Sequence, residues 1–308
     1  MNKIAFLGTS IAAVPSLCSL AESREIAAIF CNPDRPKGRG RHLEAPPTKR
    51  AAEKLGLTYY QPEGWRSQSI RDLWESLDID LAIVAAYGYI LPNWMLTSCR
   101  LGVWNLHFSM LPRWRGASPI NYAILQGDKI TGVSLMRLTQ GLDEGPILAQ
   151  CCRPITTRDD ASSLLTTLAL DASTLLMTNI SALETNTGTL TQQDSTKVTI
   201  APKLHKSMAR IDIYHSAIEI HRQVRALQPW PGTEITIRET LLKVCSVGKI
   251  QPSLTKFGTI SWNQKSAWLS AGDGNAVELT TLQRSGKSVQ PASQALQYWG
   301  ATGEVNII

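Results

Sequence analysis

Leu81-Ala82-Ile83-Val84-Ala85-Ala86 is an unbroken apolar run set between Asp80 and Tyr87-Gly88-Tyr89. A strand wetted on one face alternates apolar and polar side chains. A run without alternation needs a sheet covered on both faces, which is the habit of parallel strands joined by helices. Outward from this run the first 155 residues supply both parts. Strands are predicted over Lys3–Leu7, Glu25–Phe30, Thr58–Tyr60, Leu81–Ala85, Val103–Leu106, Gly132–Arg137 and Ile147–Cys152, with helices over Thr48–Leu55, Ser69–Ser76 and Ala117–Leu125. That order predicts an α/β domain with a mostly parallel sheet.

A long helix is expected from Asp160 to about Leu183, carrying Leu164, Leu165, Leu168, Leu175, Leu176 and Ile180 largely on one side. Residues 185–204 are rich in Thr, Gln and Ser and read as an interdomain linker. The remainder opens with a helix over Ser216–Ala226 and continues in short strands broken by Gly and Pro, the pattern of a small barrel-like β module. The expected organisation is a catalytic domain over 1–184, a linker over 185–204 and a second domain over 205–308. A length of 308 residues suits two domains.

Composition excludes several classes. With 43% hydrophobic and 18% charged residues the chain is neither disordered nor membrane-embedded. Its N-terminal apolar stretch is punctuated by Gly8 and Pro15, so it reads as a strand, a turn and a helix rather than a secretory leader. The expected location is cytoplasmic. Six cysteines, at 18, 31, 99, 151, 152 and 245, show no CxxC spacing and read as small core residues. His205, His215 and His221 lack a ligand-like pattern and read as surface or partly buried, so no metal is expected. Only Gly-Thr-Ser follows the first strand, so a dinucleotide site of the usual kind is not expected.

Net charge is +6 and unevenly placed: residues 33–50 carry six basic and two acidic groups, and residues 203–308 carry twelve and seven. Arg35, Lys37, Arg39 and Arg41 crowd a segment whose prolines and glycines forbid a regular helix or a central strand. Two basic regions suit a polyanion that touches both; charge alone leaves open a set of solvated cations without a partner.

The chemistry concentrates in residues 103–145. Asn105 and His107 alternate at a strand end, so their side chains share a face. Asp143 follows in the loop Gly141-Leu142-Asp143-Glu144-Gly145. In an open parallel sheet such loops form the ligand crevice. An amide can donate to an oxyanion, an imidazole can move a proton, and a carboxylate can orient the imidazole. This suits acyl transfer from an amide-like donor to an amine. Taken alone, the trio has a second reading, a hydrogen-bonded structural histidine.

The segment resembles the folate-dependent formyltransferases, whose signature Asn-x-His-x-Ser-Leu-Leu-Pro with a downstream Gly-Leu-Asp-x-Gly stands here as Asn105, His107, Ser109-Met110-Leu111-Pro112 and Gly141–Gly145. Pro33–Arg41, Ala86–Pro92, Pro112–Pro119, Ala201–Leu204, Arg210–Asp212 and Pro229–Gly232 extend the likeness over nearly the full length, toward members that act on tRNA. The resemblance implies a Rossmann-like formyltransferase domain followed by an OB-like barrel. It implies 10-formyltetrahydrofolate as co-substrate and the methionyl amine of initiator tRNA as acceptor. By the same resemblance Asn105, His107 and Asp143 are catalytic. Ser109, Met110, Leu111 and Pro112, with Tyr89, Ile90 and Leu91, line the folate pocket. Arg35, Lys37, Arg39 and Arg41 hold the tRNA acceptor end, while the basic second domain grips the stem. The chain is expected to act as a monomer. Phe108, Met110, Ala12 and Ile213 depart from the family pattern without removing a catalytic group. Rival readings are a formyltransferase for nucleotide amino sugars and a non-catalytic RNA-binding protein of the same fold.

Overall fold

The computed structural model describes residues 2–37 and 42–307. The chain packs as two compact units, one formed by Met1–Pro119, Ile130–Pro154 and Leu165–Ala201, the other by Ile120–Lys129, Ile155–Leu164 and Pro202–Ile308.

Along the first part of the chain run β1 (Ile4–Gly8), α1 (Val14–Ser23), β2 (Ile26–Phe30), β3 (Arg35–Lys37), β4 (His42–Glu44), α2 (Pro47–Leu55) and β5 (Tyr59–Tyr60). They are followed by α3 (Gln68–Leu77), β6 (Leu81–Ala85), α4 (Asn93–Ser98), β7 (Val103–His107), β8 (Arg115–Gly116), α5 (Pro119–Leu125), β9 (Ile130–Arg137), β10 (Ile147–Pro154), α6 (Ala161–Thr185) and β11 (Ile200–Ala201). The main sheet has the order β10-β9-β7-β6-β1-β2-β5. From β7 to β5 every pairing is parallel, while β9 and β10 join antiparallel at one edge.

All five residues of β1 and of β6 are buried, as the unbroken apolar runs require. Alternate residues Ala5, Leu7, Ala28, Phe30, Ala82 and Val84 meet Trp65 and Trp74 on one face. Helix ends follow local chemistry: Pro15 opens α1, the Ser67 side chain accepts the Ile70 N–H at the start of α3, and Gly56 closes α2 at φ +66°. Among the described residues the basic segment adds no strand to the main sheet. Arg35–Lys37 and His42–Glu44 pair with each other as a separate two-stranded ribbon. At its root Asp34 accepts from Lys49 at 2.8 Å and from Gln61 at 2.7 Å, and those two bonds hold its carboxyl below the usual range.

The expected linker 185–204 is not free chain, because residues up to Ala201 belong to the first unit. Thr191 bridges to Ile147, and β11 pairs in parallel with β8. Its polar composition hides these contacts because backbone groups make most of them.

In the second unit α7 (Ala217–Leu227) opens with a reciprocal cap between Ser216 and Glu219. It buries Ala217, Ile220 and Val224 in a core shared with an antiparallel sheet. That sheet comprises β12 (Thr233–Ile237), β13 (Thr240–Pro252), β14 (Thr259–Trp262), β15 (Ala267–Ser270), β16 (Asn275–Arg284), β17 (Gln290–Pro291) and β18 (Gly303–Asn306), with α8 (Ala292–Leu296) beside it. Its order is β12-β13-β16-β15-β14-β18, with β17 pairing on β16. The register of β13 shifts between Val244 and Ile250, which curls the sheet into the expected barrel-like module.

Two expectations about single residues need correction. Of the six cysteines expected in the core, Cys31 and Cys99 are buried, Cys18, Cys151 and Cys245 are half-buried, and Cys152 is exposed, because the strand β10 lies at the sheet edge and turns alternate side chains outward. His221, expected at the surface or partly buried, is buried on the inner face of α7 beside Arg225. No helix among the described residues is long and apolar enough to cross a membrane.

Candidate active site

The parallel strands β1, β6 and β7 deliver their C-terminal ends side by side. On β7, Asn105 lies opposite Met136 and His107 opposite Ser134 of β9. The two-residue spacing gives both side chains one face. His107 is buried, and its Nε2 sits 2.9 Å from the Trp114 carbonyl. A carbonyl only accepts, so Nε2 carries a proton and donates it there. His107 Nδ1 then faces Asp143 Oδ2 at 3.6 Å, longer than a hydrogen bond. The same Asp143 oxygen accepts the Gly116 N–H at 2.8 Å. Asn105 is half-buried, and its amide is engaged by none of the described residues.

Arg113–Gly116 reach this position from a strained loop. Trp114 has φ +64°, costly for a residue with a Cβ, and is held by burial and by Arg113, 4.3 Å over its ring. Asp143 has φ +46°, a conformation Asp tolerates better than most residues.

The residues expected at the folate pocket divide. Ser109 is buried and donates to the Arg113 carbonyl at 2.7 Å, while its own carbonyl accepts from Ser134. Leu111 is buried in a small core with Met136 and Ile147. Both hold the loop's shape. Met110 and Pro112 are half-buried, and Met110 lays its sulfur over Gly132, where a side chain would collide. Tyr89 and Leu91 pack at the edge of the main core, and Ile90 is almost fully exposed. Of the basic residues, Arg35 is exposed, and the backbone of Lys37 lies in register with His42 across the ribbon. Arg39 and Arg41 lie outside the described residues. Beside the ribbon's root a cavity of about 310 Å³ is walled by Thr9, Ser10, Asn32, Arg35 and Glu44.

Sequence reading missed Ser134 and Gln150. The Ser134 hydroxyl donates to the Ser109 carbonyl at 2.6 Å and accepts from Leu111 N–H at 3.1 Å and from Gln150 at 2.7 Å. One donor and two acceptor sites are all used, which bolts the Ser109–Pro112 loop to β9. A serine inside the apolar run Val133–Met136 was the signal for it. Among the described residues no cluster of His, Cys, Asp and Glu could hold a metal.

A mostly parallel α/β sheet, a histidine–carboxylate pair at its strand ends and a separate antiparallel module define a two-part group-transfer enzyme. Residues 2–180 match the formyl transferase family and residues 203–298 match the formyl transferase C-terminal domain; the chain belongs to this family. It is similar to the methionyl-tRNA formyltransferase of Acidiphilium cryptum (strain JF-5), 40% identical over 301 residues that cover 96% of each chain. The methionyl-tRNA formyltransferase of Methylococcus capsulatus is 38% identical over 304 residues, 98% of each chain. Among solved structures, an N-formyltransferase from Helicobacter canadensis, in complex with folinic acid and dTDP-3-aminofucose, shares the fold. Its TM-score is 0.68 at 19% identity, over 92% of this chain and all of that one.

Proposed function

We propose that the chain transfers the formyl group of 10-formyltetrahydrofolate to the α-amine of methionine on initiator tRNA, in the cytoplasm. The observation that carries the reading is His107, fixed at Nε2 by the Trp114 carbonyl and facing Asp143 with Nδ1, beside the unengaged Asn105 amide. Full-length similarity to proteins named for that acceptor supports the choice of substrate.

In this reading the amine lone pair adds to the formyl carbon, forming a carbon–nitrogen bond and an oxyanion. The Asn105 amide donates to that oxygen, an interaction whose removal typically costs about 3–4 kcal/mol of barrier. The proton lost by the amine is taken at the His107–Asp143 pair. Collapse breaks the bond between the formyl carbon and the folate nitrogen, which leaves with that same proton, handed on from the His107–Asp143 pair. A proton arriving at His107 Nδ1 faces the Asp143 carboxylate 3.6 Å away.

Met110, Pro112, Tyr89, Ile90 and Leu91 would contact the folate, with Ser109 and Leu111 shaping the loop from within. Arg35, Lys37, Arg39 and Arg41 would meet tRNA phosphates, which double-helical RNA presents regardless of sequence. Functionally, residues 1–184 carry the chemistry, 185–204 connect, and 205–308 bind the tRNA stem; the active species is taken as a monomer.

The test is formyl transfer from 10-formyltetrahydrofolate to methionyl initiator tRNA by wild type, His107→Ala and Asp143→Ala. Transfer by wild type and its loss in both variants is expected. A folded wild type that formylates a nucleotide amino sugar instead would overturn the choice of acceptor.

A further inference from the structure

Gln193 and Thr199 lie in the polar stretch that reads, in sequence, as connecting chain. In the structure they reach the two backbone segments that flank His107. Gln193 Nε2 donates to the carbonyls of Asp143 and Gly145, each at 2.8 Å. Its Oε1 accepts from Arg115 Nε at 3.0 Å, which fixes the amide's orientation, because a flipped amide would aim oxygen at two carbonyls. These bonds span the turn in which Asp143 holds φ +46°.

On the other flank, Thr199 Oγ1 accepts the Trp114 N–H at 2.9 Å. The Thr199 carbonyl accepts the Arg115 N–H at 2.9 Å, and the chain continues into the β11–β8 pair. That pair is close: a Cβ on Gly116, whose φ is +116°, would lie 2.6 Å from the Ala201 carbonyl. The peptide so held belongs to Trp114, whose carbonyl takes the His107 Nε2 proton. The Gly116 N–H held beside it is the donor to Asp143.

We infer that Gln193 and Thr199 are positioning residues for the transfer reaction: Gln193 aims Asp143 at His107 Nδ1, and Thr199 sets the carbonyl that fixes His107 Nε2. The inference rests on the reading of His107 and Asp143 given above. Neither residue touches a reacting atom; both act through backbone whose left-handed geometry does not hold itself.

The test uses the full chain with Gln193→Glu, Thr199→Val and Thr199→Ser. Glu keeps the shape of Gln but offers carboxylate oxygen to two carbonyls; Val removes the acceptor, and Ser restores it. Misplaced catalytic groups cost about a hundredfold in rate, the loss expected in kcat for Gln193→Glu. Loss of one buried hydrogen bond predicts about a tenfold fall for Thr199→Val. KM for both substrates is expected to be unchanged, the pH–rate profile to move, and Thr199→Ser to recover most of the loss. Gln193→Met replaces Gln193→Glu should the latter not fold.

Nitrogen chemical shifts of the His107 ring give a second readout that needs no turnover. The wild type should show the proton on Nε2, and Thr199→Val should mix the two tautomers. Wild-type kcat together with unchanged His107 shifts in both variants would overturn the inference. If the wild type transfers no formyl group to tRNA, the functional reading fails while the ring shifts still decide the positioning roles.

Discussion

Acidification should destabilise the second unit through His221. This side chain is 5% exposed. Burial, then the neighbouring Arg225 guanidinium, pushes its pKa down to about 4, partly offset by a backbone hydrogen bond to Gly248. Arg225 Nε donates to His221 Nδ1 at 3.2 Å, and Arg225 also donates to the Thr156 and Asp159 carbonyls. Protonating Nδ1 would remove the acceptor and set two cations in contact. Because the folded-state pKa lies below the ordinary 6.5, the unfolded chain binds the proton more readily between about pH 6.5 and about pH 4. Stability supplied by neutral His221 is therefore complete above about pH 6.5 and falls across that window. The difference of 2.5 pH units between 6.5 and about 4 corresponds to about 3 kcal/mol in total, of which about 2 kcal/mol is gone by pH 5. Urea unfolding at about pH 7.5 and about pH 5, followed by hydrogen exchange in the α7 peptides, should show this loss in wild type. His221→Gln cannot titrate and should lack that share of the pH dependence. Equal losses in both proteins would refute the argument.

Asn105→Ala should lower kcat by roughly 10²–10³-fold, the worth of one oxyanion donor, with little change in folate KM; steady-state kinetics will show whether the split holds. Paired Arg39→Ala and Arg41→Ala changes should raise the KM for tRNA. They should also flatten the salt dependence of tRNA binding by about one unit of slope for each phosphate that is no longer neutralised. An unchanged slope would remove Arg39 and Arg41 from the tRNA interface. Trp74→Ala should destabilise the first unit by about 3–5 kcal/mol in thermal or urea unfolding. The indole is 2% exposed, packs on Phe30 and Trp65, and donates to Ser98 Oγ at 2.8 Å.

The sheet was legible in sequence because burial on both faces leaves an unbroken apolar signal in its central strands. Leu81–Ala85 is found with the bounds expected of it, and Val103–Leu106 extends only to His107. Short elements were not legible. The ribbon of Arg35–Lys37 with His42–Glu44 pairs only with itself, and its composition gives no alternation to read. The side chains of the candidate site were legible through a compact motif, with Asn105 and His107 two residues apart and Asp143 in a glycine-bounded loop. The inward bonding of the motif's loop was not legible. The resemblance places Ser109 and Leu111 at a folate pocket; in the structure the Ser109 hydroxyl donates to the Arg113 carbonyl and Leu111 packs with Met136 and Ile147, because a tight loop must satisfy its own backbone groups.

The same reasoning explains why the histidine's immediate setting comes from far along the chain. A parallel sheet brings His107 to a strand end without special backbone, but the groups on its two nitrogens belong to Trp114 and Asp143, both at positive φ. Such turns persist only where surrounding structure over-determines them. The loops themselves supply part of that restraint: Asp143 takes the Gly116 amide, and Gly145 packs so closely against the Arg137 carbonyl that no side chain fits. The remaining donors and acceptors arrive from Gln193, fifty residues beyond Asp143, and from Thr199, eighty-five beyond Trp114. A strand-end motif can encode reactive side chains within a few positions. Fixing their angles takes hydrogen bonds from outside the loops, and here they come from the chain between the end of α6 and Ala201.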